Sequence, residues 1–232
     1  MPSAATSLLR YSVKYFQKAR LEQKIMSNNQ VVLYTNPMSR GRIARWMLEE
    51  IGQPYKTVLL DYGTSMKAPE YLAINPMGKV PAITHNDAVV TENAAICAYL
   101  ADAFPAAALA PVPNARAEYY RWLFYAAGPV EQAITNKSLG FEVPEGKSMM
   151  AGYGSFAAVM DVLEIAVRGK NFIVGDQFST VDIILGSQIG FGLMFGSIEK
   201  RPEFERYWAT LAARPARVRA EAIDNALMPA RT

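Results

Sequence analysis

The 232-residue sequence predicts an α/β domain followed by an all-helical domain. Up to residue 104, short strand-like apolar runs alternate with helix-like patterns, as in a sheet covered by helices. Three prolines then interrupt residues 105–113, where neither pattern continues. Beyond them, apolar residues recur at helical spacing only. We therefore assign residues 29–104 to the first domain, 105–113 to a linker and 114–228 to the second domain.

The first domain shows the element order of a thioredoxin-like fold. Its first helix is expected to end at Gly52 and Pro54, because glycine favours a helix C-terminus and proline cannot continue a helix. In chain order the predicted elements are a strand at 31–34, a helix ending at Ile51, a strand at 55–60, a short helix at 68–72, a hairpin at 82–90 and a helix at 93–103. This order is that of a thioredoxin-like domain.

Five long helical patterns make up the second domain. They cover residues 115–138, 148–168, 180–195, 203–213 and 216–227. The third pattern has a strong start signal, with Ser179 as N-cap and Asp182 three residues later to complete a capping box. It also carries Gly186, Gly190 and Gly192. Glycines allow neighbouring elements to approach closely, or they leave room for an apolar substrate.

Composition and charge are those of an ordinary globular protein. Hydrophobic residues make up 51% of the chain and charged residues 19%, which is enough for a sizeable core. The formal charge of +3 comes from the first 26 residues. The remainder is close to neutral, which argues against a nucleic-acid surface. The longest uncharged run, Ile183–Ile198, contains four glycines and is too short for a membrane span.

A single cysteine and a single histidine limit the available chemistry. Cys97 excludes an intramolecular disulfide and suits a reducing compartment, so we expect a cytoplasmic protein. Its helical surroundings predict a small buried packing residue. His85 falls at a hairpin turn, where we expect an exposed side chain. With one residue of each type, the sequence shows no Ser-His-Asp, Cys-His or familiar zinc constellation, and no metal is expected.

Residues 1–28 form an N-terminal extension outside both domains. Their basic residues and near absence of acids are typical of an organelle transit peptide. The alternative is a natural start at Met26, which lies just before the first strand. The thioredoxin-like element order needs nothing from this segment under either interpretation.

The segment Asn75–Pro81, Asn-Pro-Met-Gly-Lys-Val-Pro, predicts a peptide-binding loop. Val80 precedes a proline and is restricted to extended backbone, while Gly78 allows the turn before it. If the bond from Val80 to Pro81 is cis, the Val80 amide and carbonyl are left unpaired and can accept a peptide as an added strand. Glu92 and Asn93 follow at the start of a helix, where carboxylates bind well.

From about Val31 to about Ile223 the chain resembles the glutathione S-transferase superfamily, and its serine-type, bacterial-like cytosolic members in particular. The family pattern is a strand, an active-site loop and helix, Asn-Pro-x-Gly-Lys-Val-Pro, a hairpin, Glu-Ser before a helix, and an all-helical domain. Here Asn93 replaces the family serine, but asparagine is also a good N-cap and its amide can hold a carboxylate. The resemblance implies glutathione as co-substrate, a homodimer and an electrophilic, mostly apolar second substrate.

The loop between the first strand and first helix, Tyr34–Arg42, is expected to carry the chemistry. A free thiol has a pKa near ~8.5, and only its thiolate is a strong nucleophile. A hydroxyl that donates a hydrogen bond to the sulfur, at the positive end of a helix, favours the thiolate. By resemblance, Ser39 takes the place of the catalytic Ser or Cys of many family members. Tyr34 is the competing donor, as in tyrosine-type members, and Asn36 is a third candidate.

The resemblance also implies the glutathione-binding residues. Glu92 and Asn93 would hold the amino and carboxylate groups of the glutamyl end. Val80 would pair with the cysteinyl backbone, and Lys79 would offer its charge to a carboxylate. We therefore expect a glutathione transferase acting on electrophiles. A glutathione-dependent peroxidase or isomerase, and a non-catalytic binding module with this fold, stay open as alternatives.

Overall fold

A four-stranded mixed sheet forms the first half of the computed structural model, which describes residues 30–228. The strands are β1 (Val31–Thr35), β2 (Tyr55–Leu59), β3 (Ala82–His85) and β4 (Ala88–Thr91), in the spatial order β2-β1-β3-β4. β1 runs parallel to β2 and antiparallel to β3, which pairs antiparallel with β4. The predictions for residues 1–28 lie outside the described residues.

Three helices accompany the sheet: α1 (Gly41–Ile51), α2 (Pro69–Leu72) and α3 (Asn93–Ala103). α1 ends where the sequence predicts, at Gly52, which adopts the left-handed conformation (φ 70°) that glycine tolerates best. α2 has Pro69 in its first turn, where the missing N–H of proline costs nothing. The predicted thioredoxin-like α/β fold, followed by an all-helical domain, is confirmed.

The second half contains the helices α4 (Ala117–Tyr125), α5 (Glu131–Ser138), α6 (Phe156–Val167), α7 (Thr180–Phe195), α8 (Pro202–Ala212) and α9 (Pro215–Ala226). α7 has the predicted bounds and the predicted capping box at its start. Within residues 30–228, no helix combines the length and the apolar character required to cross a membrane.

Two helix predictions in this half need correction. The predicted helix at 115–138 contains a wider π-helical turn at Ala126–Val130, where Pro129 lacks an N–H to donate. The Gln188 side chain donates to the carbonyl of Ala126 there (2.9 Å). The helix predicted from 148 begins at Phe156, because the hydroxyl of Ser155 caps it by accepting from the amide of Ala158 (3.2 Å).

One apolar core extends from the sheet into the helical half. Trp46 of α1 lies between the two halves, with its ring 6.1 Å from that of Phe178 and 6.4 Å from that of Trp208. The predicted close approach at the α7 glycines is confirmed. A Cβ atom at Gly190 would lie 2.5 Å from the ring of Trp208, and one at Gly186 would lie 2.4 Å from Leu211.

The prediction for His85 is wrong, whereas that for Cys97 is confirmed. His85 is the last residue of β3 and is only 5% exposed, because strand alternation turns it to the same face as Ile83. Its Nδ1 lies 3.0 Å from the hydroxyl of Tyr99, and its ring stacks on Phe104. Cys97 is fully buried in α3, and burial raises the pKa of its thiol.

Asp182 lies at the centre of a buried polar cluster in the helical half. Its carboxylate accepts from the amides of Ile173 and Ser179 (both 2.8 Å) and from the hydroxyl of Tyr207 (2.6 Å). Burial raises the pKa of Asp182, and these donors oppose that rise. The carboxylate therefore joins the start of α7 to α8 and to the loop before α7.

We expect Asp182→Ala to lower the free energy of unfolding by about 3 kcal/mol or more, because it leaves several buried donors without an acceptor. Urea denaturation followed by circular dichroism measures this loss. Asp176→Ala, at an exposed position of the loop before α7, is the matched control and should change stability by less than about 0.5 kcal/mol. Equal losses in the two variants would contradict a structural role for Asp182.

Candidate active site

The register of the sheet brings three separate segments to one edge. Tyr34 of β1 pairs with Ala82 of β3, and Ala82 pairs with Thr91 of β4. The loop after β1, the loop before β3 and the start of α3 therefore leave the sheet side by side. Among the residues predicted from sequence, this edge collects the Ser39 loop, Val80 and the Glu92-Asn93 pair.

The Ser39 loop, defined as residues 36–40, is folded around the side chain of Asn36. That amide donates to the carbonyl of Leu60 (2.8 Å) and accepts from the amide of Met38 (2.9 Å). Asn36 is 5% exposed. The nitrogen of its side-chain amide thus attaches the loop to Leu60, and the oxygen holds the turn at Met38. These bonds give Asn36 a structural role in the site.

The hydroxyl of Ser39 lies at the start of α1. It donates to the carbonyl of Asn36 (2.7 Å) and accepts from the amide of Gly41, the first residue of the helix (2.9 Å). No acidic residue lies in the first turn of α1, so nothing in that turn offsets the positive end of the helix dipole. The Ser39 hydroxyl is therefore held where a negative charge is favoured.

Gly41 permits the close approach of α1 to the end of β1. A Cβ atom at this position would lie 1.9 Å from the hydroxyl oxygen of Thr35 and 2.9 Å from that of Ser39. Such distances exclude any side chain without a shift of the loop. Thr35 is fully buried, and its hydroxyl has no hydrogen-bond partner among the described residues. Neither residue was among the site residues predicted from the sequence.

Tyr34 lies on the opposite face of the sheet from Thr35, as alternation along β1 requires. Its ring packs 5.7 Å from that of Tyr71, in a smaller apolar cluster that also contains Leu60 and Met66. Tyr34 therefore packs on the face of the sheet that α2 covers.

The loop before β3 contains a cis peptide bond between Val80 and Pro81. The amide and carbonyl of Val80 have no hydrogen-bond partner among residues 30–228. The neighbouring carbonyl of Lys79 accepts from the hydroxyl of Tyr71 and from the side-chain amide of Asn75 (2.8 Å). The Lys79 side chain is exposed. Val80 thus presents an unpaired strand-like edge on a loop that Tyr71 and Asn75 hold at the Lys79 carbonyl.

Glu92 has an unusual backbone conformation for a residue with a side chain. Its φ is 66° and its ψ is 122°, immediately before α3 begins at Asn93. The Glu92 side chain is exposed. Strained backbone of this kind costs about 1–3 kcal/mol and clusters at binding sites. The geometry therefore points to a role for Glu92 beyond local folding.

Asn93 joins the start of α3 to the Ser39 loop. Its side-chain amide donates to the carbonyl of Arg40 (3.2 Å), and its side-chain oxygen is buried without a partner among the described residues. The Arg40 side chain forms an ion pair with Glu131 at the start of α5 (2.7 Å). The ion pair of Arg40 and Glu131 was not predicted from the sequence, because it depends on a contact between distant segments.

No group of three or more potential metal ligands occurs within residues 30–228. The chemistry available at this edge of the sheet is that of a hydroxyl, two helix N-termini, an unpaired strand edge and a few charged side chains.

The family comparisons agree with this geometry. Residues 29–102 match the glutathione S-transferase N-terminal domain, and residues 146–215 match the glutathione S-transferase C-terminal domain. The glutathione S-transferase GST-4.5 of Xanthomonas campestris is 35% identical over 160 residues, which cover 66% of this chain and 78% of the relative. The chain belongs to the glutathione S-transferase family.

Two further relatives cover more of this glutathione S-transferase chain. Glutathione S-transferase 3 of Zea mays is 29% identical over 201 residues, or 79% of this chain and 90% of the relative. The solved structure of a sphingomonad glutathione S-transferase complexed with glutathione matches with a TM-score of 0.68 and 26% identity, covering 84% of this chain and 98% of that one. Both the sequence and the fold relationships therefore span the two halves.

The conformation of Glu92 leads to a prediction about stability. We expect Glu92→Gly to be more stable than Glu92→Ala by about 1 kcal/mol, because glycine adopts a positive φ without strain. Urea unfolding of the two variants measures the difference. At Glu205, an exposed residue of α8, the order should reverse, since glycine destabilises a helix by about 1 kcal/mol relative to alanine. If Glu92→Gly is less stable than Glu92→Ala, the backbone of Glu92 is not strained.

Proposed function

We propose that this glutathione S-transferase uses the Ser39 hydroxyl to stabilise the thiolate of bound glutathione for attack on an electrophile. The observation that carries the proposal is the sheet register that gathers the Ser39 loop, Val80 and the start of α3 at one edge. The matched sphingomonad transferase is described as complexed with glutathione, which supports glutathione as the co-substrate here.

The hydrogen bonds of Ser39 support its role as thiolate donor. The hydroxyl points to the carbonyl of Asn36, which also accepts from the Ser39 amide (3.0 Å). Rotation of the hydroxyl toward a sulfur therefore leaves that carbonyl paired. The amide of Gly41 meanwhile donates to the hydroxyl oxygen, which polarises the O–H group and strengthens it as a donor.

The other predicted residues suit the remaining parts of glutathione. Val80 offers a free amide and carbonyl to the cysteinyl backbone, as one strand does to another. The Glu92 carboxylate suits the glutamyl ammonium, and Asn93 with the N-terminus of α3 suits the glutamyl carboxylate. Lys79, exposed on the loop before β3, supplies a positive charge for the glycyl carboxylate.

Tyr34 is the weaker candidate for the thiolate donor. Its ring packs against Tyr71 on the α2 side of the sheet, whereas the Ser39 hydroxyl lies at the α1 terminus. Movement of Tyr34 toward the thiol would empty part of that apolar cluster, at a cost that rotation of a serine hydroxyl avoids.

The proposed reaction is nucleophilic substitution or addition at carbon. The thiol proton is lost to solvent, the thiolate attacks the electrophilic carbon, and a sulfur–carbon bond forms. In a substitution the leaving group departs with its electron pair, and in an addition the displaced electron pair stays on the product as an anion, which takes a proton from solvent. Met38, beside Ser39, is 56% exposed. Its apolar side chain supports a mostly apolar electrophile at this position.

The assembly that we propose is a homodimer. Tyr120 and Phe124 of α4 are 45% and 73% exposed, and exposed aromatic side chains on one helix favour a protein contact. Light scattering coupled to size exclusion should give about twice the 25.6 kDa chain mass. A mass equal to one chain at micromolar concentration would contradict the homodimer.

Ser39→Ala tests the thiolate donor. We expect kcat to fall by about 10²-fold or more, with the Kd for glutathione changed less than about threefold, because the lost interaction acts on the thiolate and little on the peptide. The thiolate absorbance of bound glutathione, followed against pH, should show a raised thiol pKa. Tyr34→Phe is the matched control and should keep the pKa and kcat of the unaltered protein.

The outcomes separate the alternatives. The reverse result, with loss in Tyr34→Phe and none in Ser39→Ala, would assign the donor to Tyr34. A protein that binds glutathione but turns over no member of a panel of aryl halides, epoxides and unsaturated carbonyls would be a binding module. Turnover of hydroperoxides or of cis–trans isomers alone would indicate a peroxidase or an isomerase.

A further inference from the structure

Arg42 connects the Ser39 loop to the last helix of the chain. Its Nε donates to the carbonyl of Pro37 (2.5 Å), and its Nη2 donates to the side-chain oxygen of Asn225 (2.9 Å). A guanidinium is planar and holds its donors in a fixed geometry. The Asn225 side chain therefore orients the Arg42 guanidinium. That guanidinium in turn donates to the carbonyl of Pro37, two residues before Ser39.

α9, which carries Asn225, is itself fixed against α1. Arg45 and Asp224 form an ion pair of 2.7 Å in which each side chain is 1% exposed. Nearer the start of α9, Arg214 donates to both carboxylate oxygens of Glu50 (2.7 and 2.8 Å). Because Asp224 directly precedes Asn225, the buried pair determines where the Asn225 amide meets the Arg42 side chain.

The Pro37 carbonyl has no other partner among the described residues. The rest of the Ser39 loop keeps its own bonds through Asn36. Loss of the Arg42 contact would therefore leave the loop folded but less closely fixed. A displacement of about 1 Å between a catalytic group and its substrate can cost roughly 10²-fold in rate.

We infer that Asn225 is a positioning residue for the Ser39 hydroxyl, acting through the guanidinium of Arg42. The helical half of the chain thereby takes part in thiolate stabilisation by a site built from the sheet half. The catalytic consequence of this role rests on the proposed function. Its effect on the Ser39 loop rests on the hydrogen bonds alone.

Four variants of the full chain test this role. Asn225→Ala removes the acceptor for Arg42. Asn225→Asp keeps an acceptor of nearly the same shape. Arg219→Ala is the matched control on the same helix, because Arg219 is 55% exposed and contacts Glu49 at the far end of α1 from Ser39. Arg42→Lys is a fourth variant, which keeps the charge but cannot bridge Pro37 and Asn225.

The first measurement is hydrogen exchange of the amides in residues 36–42, which does not depend on catalysis. Asn225→Ala and Arg42→Lys should exchange several-fold faster there than the unaltered chain, whereas Asn225→Asp and Arg219→Ala should not. Because the Arg42–Asn225 hydrogen bond is exposed and such bonds contribute little to stability, all four variants should unfold at nearly the same urea concentration. Unchanged exchange in Asn225→Ala and Arg42→Lys would overturn the inference.

The second measurement is the thiol pKa of bound glutathione, with kcat and KM. Asn225→Ala should raise this pKa and lower kcat about tenfold at neutral pH, with the KM for glutathione within about twofold. Asn225→Asp should restore both. Faster exchange with an unchanged thiol pKa, or the same changes in Arg219→Ala, would reduce Asn225 to a structural residue. An unaltered chain that binds no glutathione would refute the proposed function, while hydrogen exchange would still decide whether Arg42 and Asn225 hold the loop.

Discussion

The antiparallel register of β3 between β1 and β4 is the constraint on which the candidate site depends. It aligns Tyr34, Ala82 and Thr91 across the sheet, so the segments that leave these strands must share one edge. A shift of one residue would turn the side chains of β3 to the wrong faces. The buried side chains of Ile83 and His85 on one face of β3 make such a shift costly.

The same edge gathers two helix N-termini beside the carboxylate of Glu92, the N-cap of α3, and no metal-ligand cluster occurs among residues 30–228. α1 and α3 both begin there, and neither has an acidic residue in its first turn. Their partial charges favour anions such as a thiolate and a carboxylate. Asn93 connects the two helix starts through the Arg40 carbonyl, so the site is one bonded unit rather than two adjacent ones.

Local chemistry explains which features sequence could predict. Ser179 and Asp182 form a capping box within four residues, and α7 begins there as expected. α3 has its predicted bounds for the same reason, since its start and its apolar pattern are both local. From sequence, the cis bond before Pro81 is only a conditional possibility, because a Val-Pro dipeptide permits a cis bond but does not require it.

Features that depend on distant contacts could not be predicted in this way. His85 is buried because Tyr99 and Phe104 cover it, although turn residues directly follow it in sequence. The left-handed φ of Glu92 has no sequence signal, because glutamate rarely adopts it. Arg42 and Asn225 are 183 residues apart, and no local pattern relates a half-buried arginine to an asparagine near the end of the chain.

The buried pair of Arg45 and Asp224 shows why α9 is suited to a positioning role. Burial raises the pKa of Asp224, opposed by the neighbouring Arg45 charge. One nitrogen of Arg45 and one oxygen of Asp224 are buried without partners among the described residues. A buried ion pair with unpaired atoms adds little net stability, because desolvation offsets the attraction, but misaligning it is expensive. The pair therefore penalises any rotation or shift of α9 on α1 more than it stabilises the fold. The consequence falls on the next residue, Asn225, whose amide can orient Arg42 only while that alignment holds.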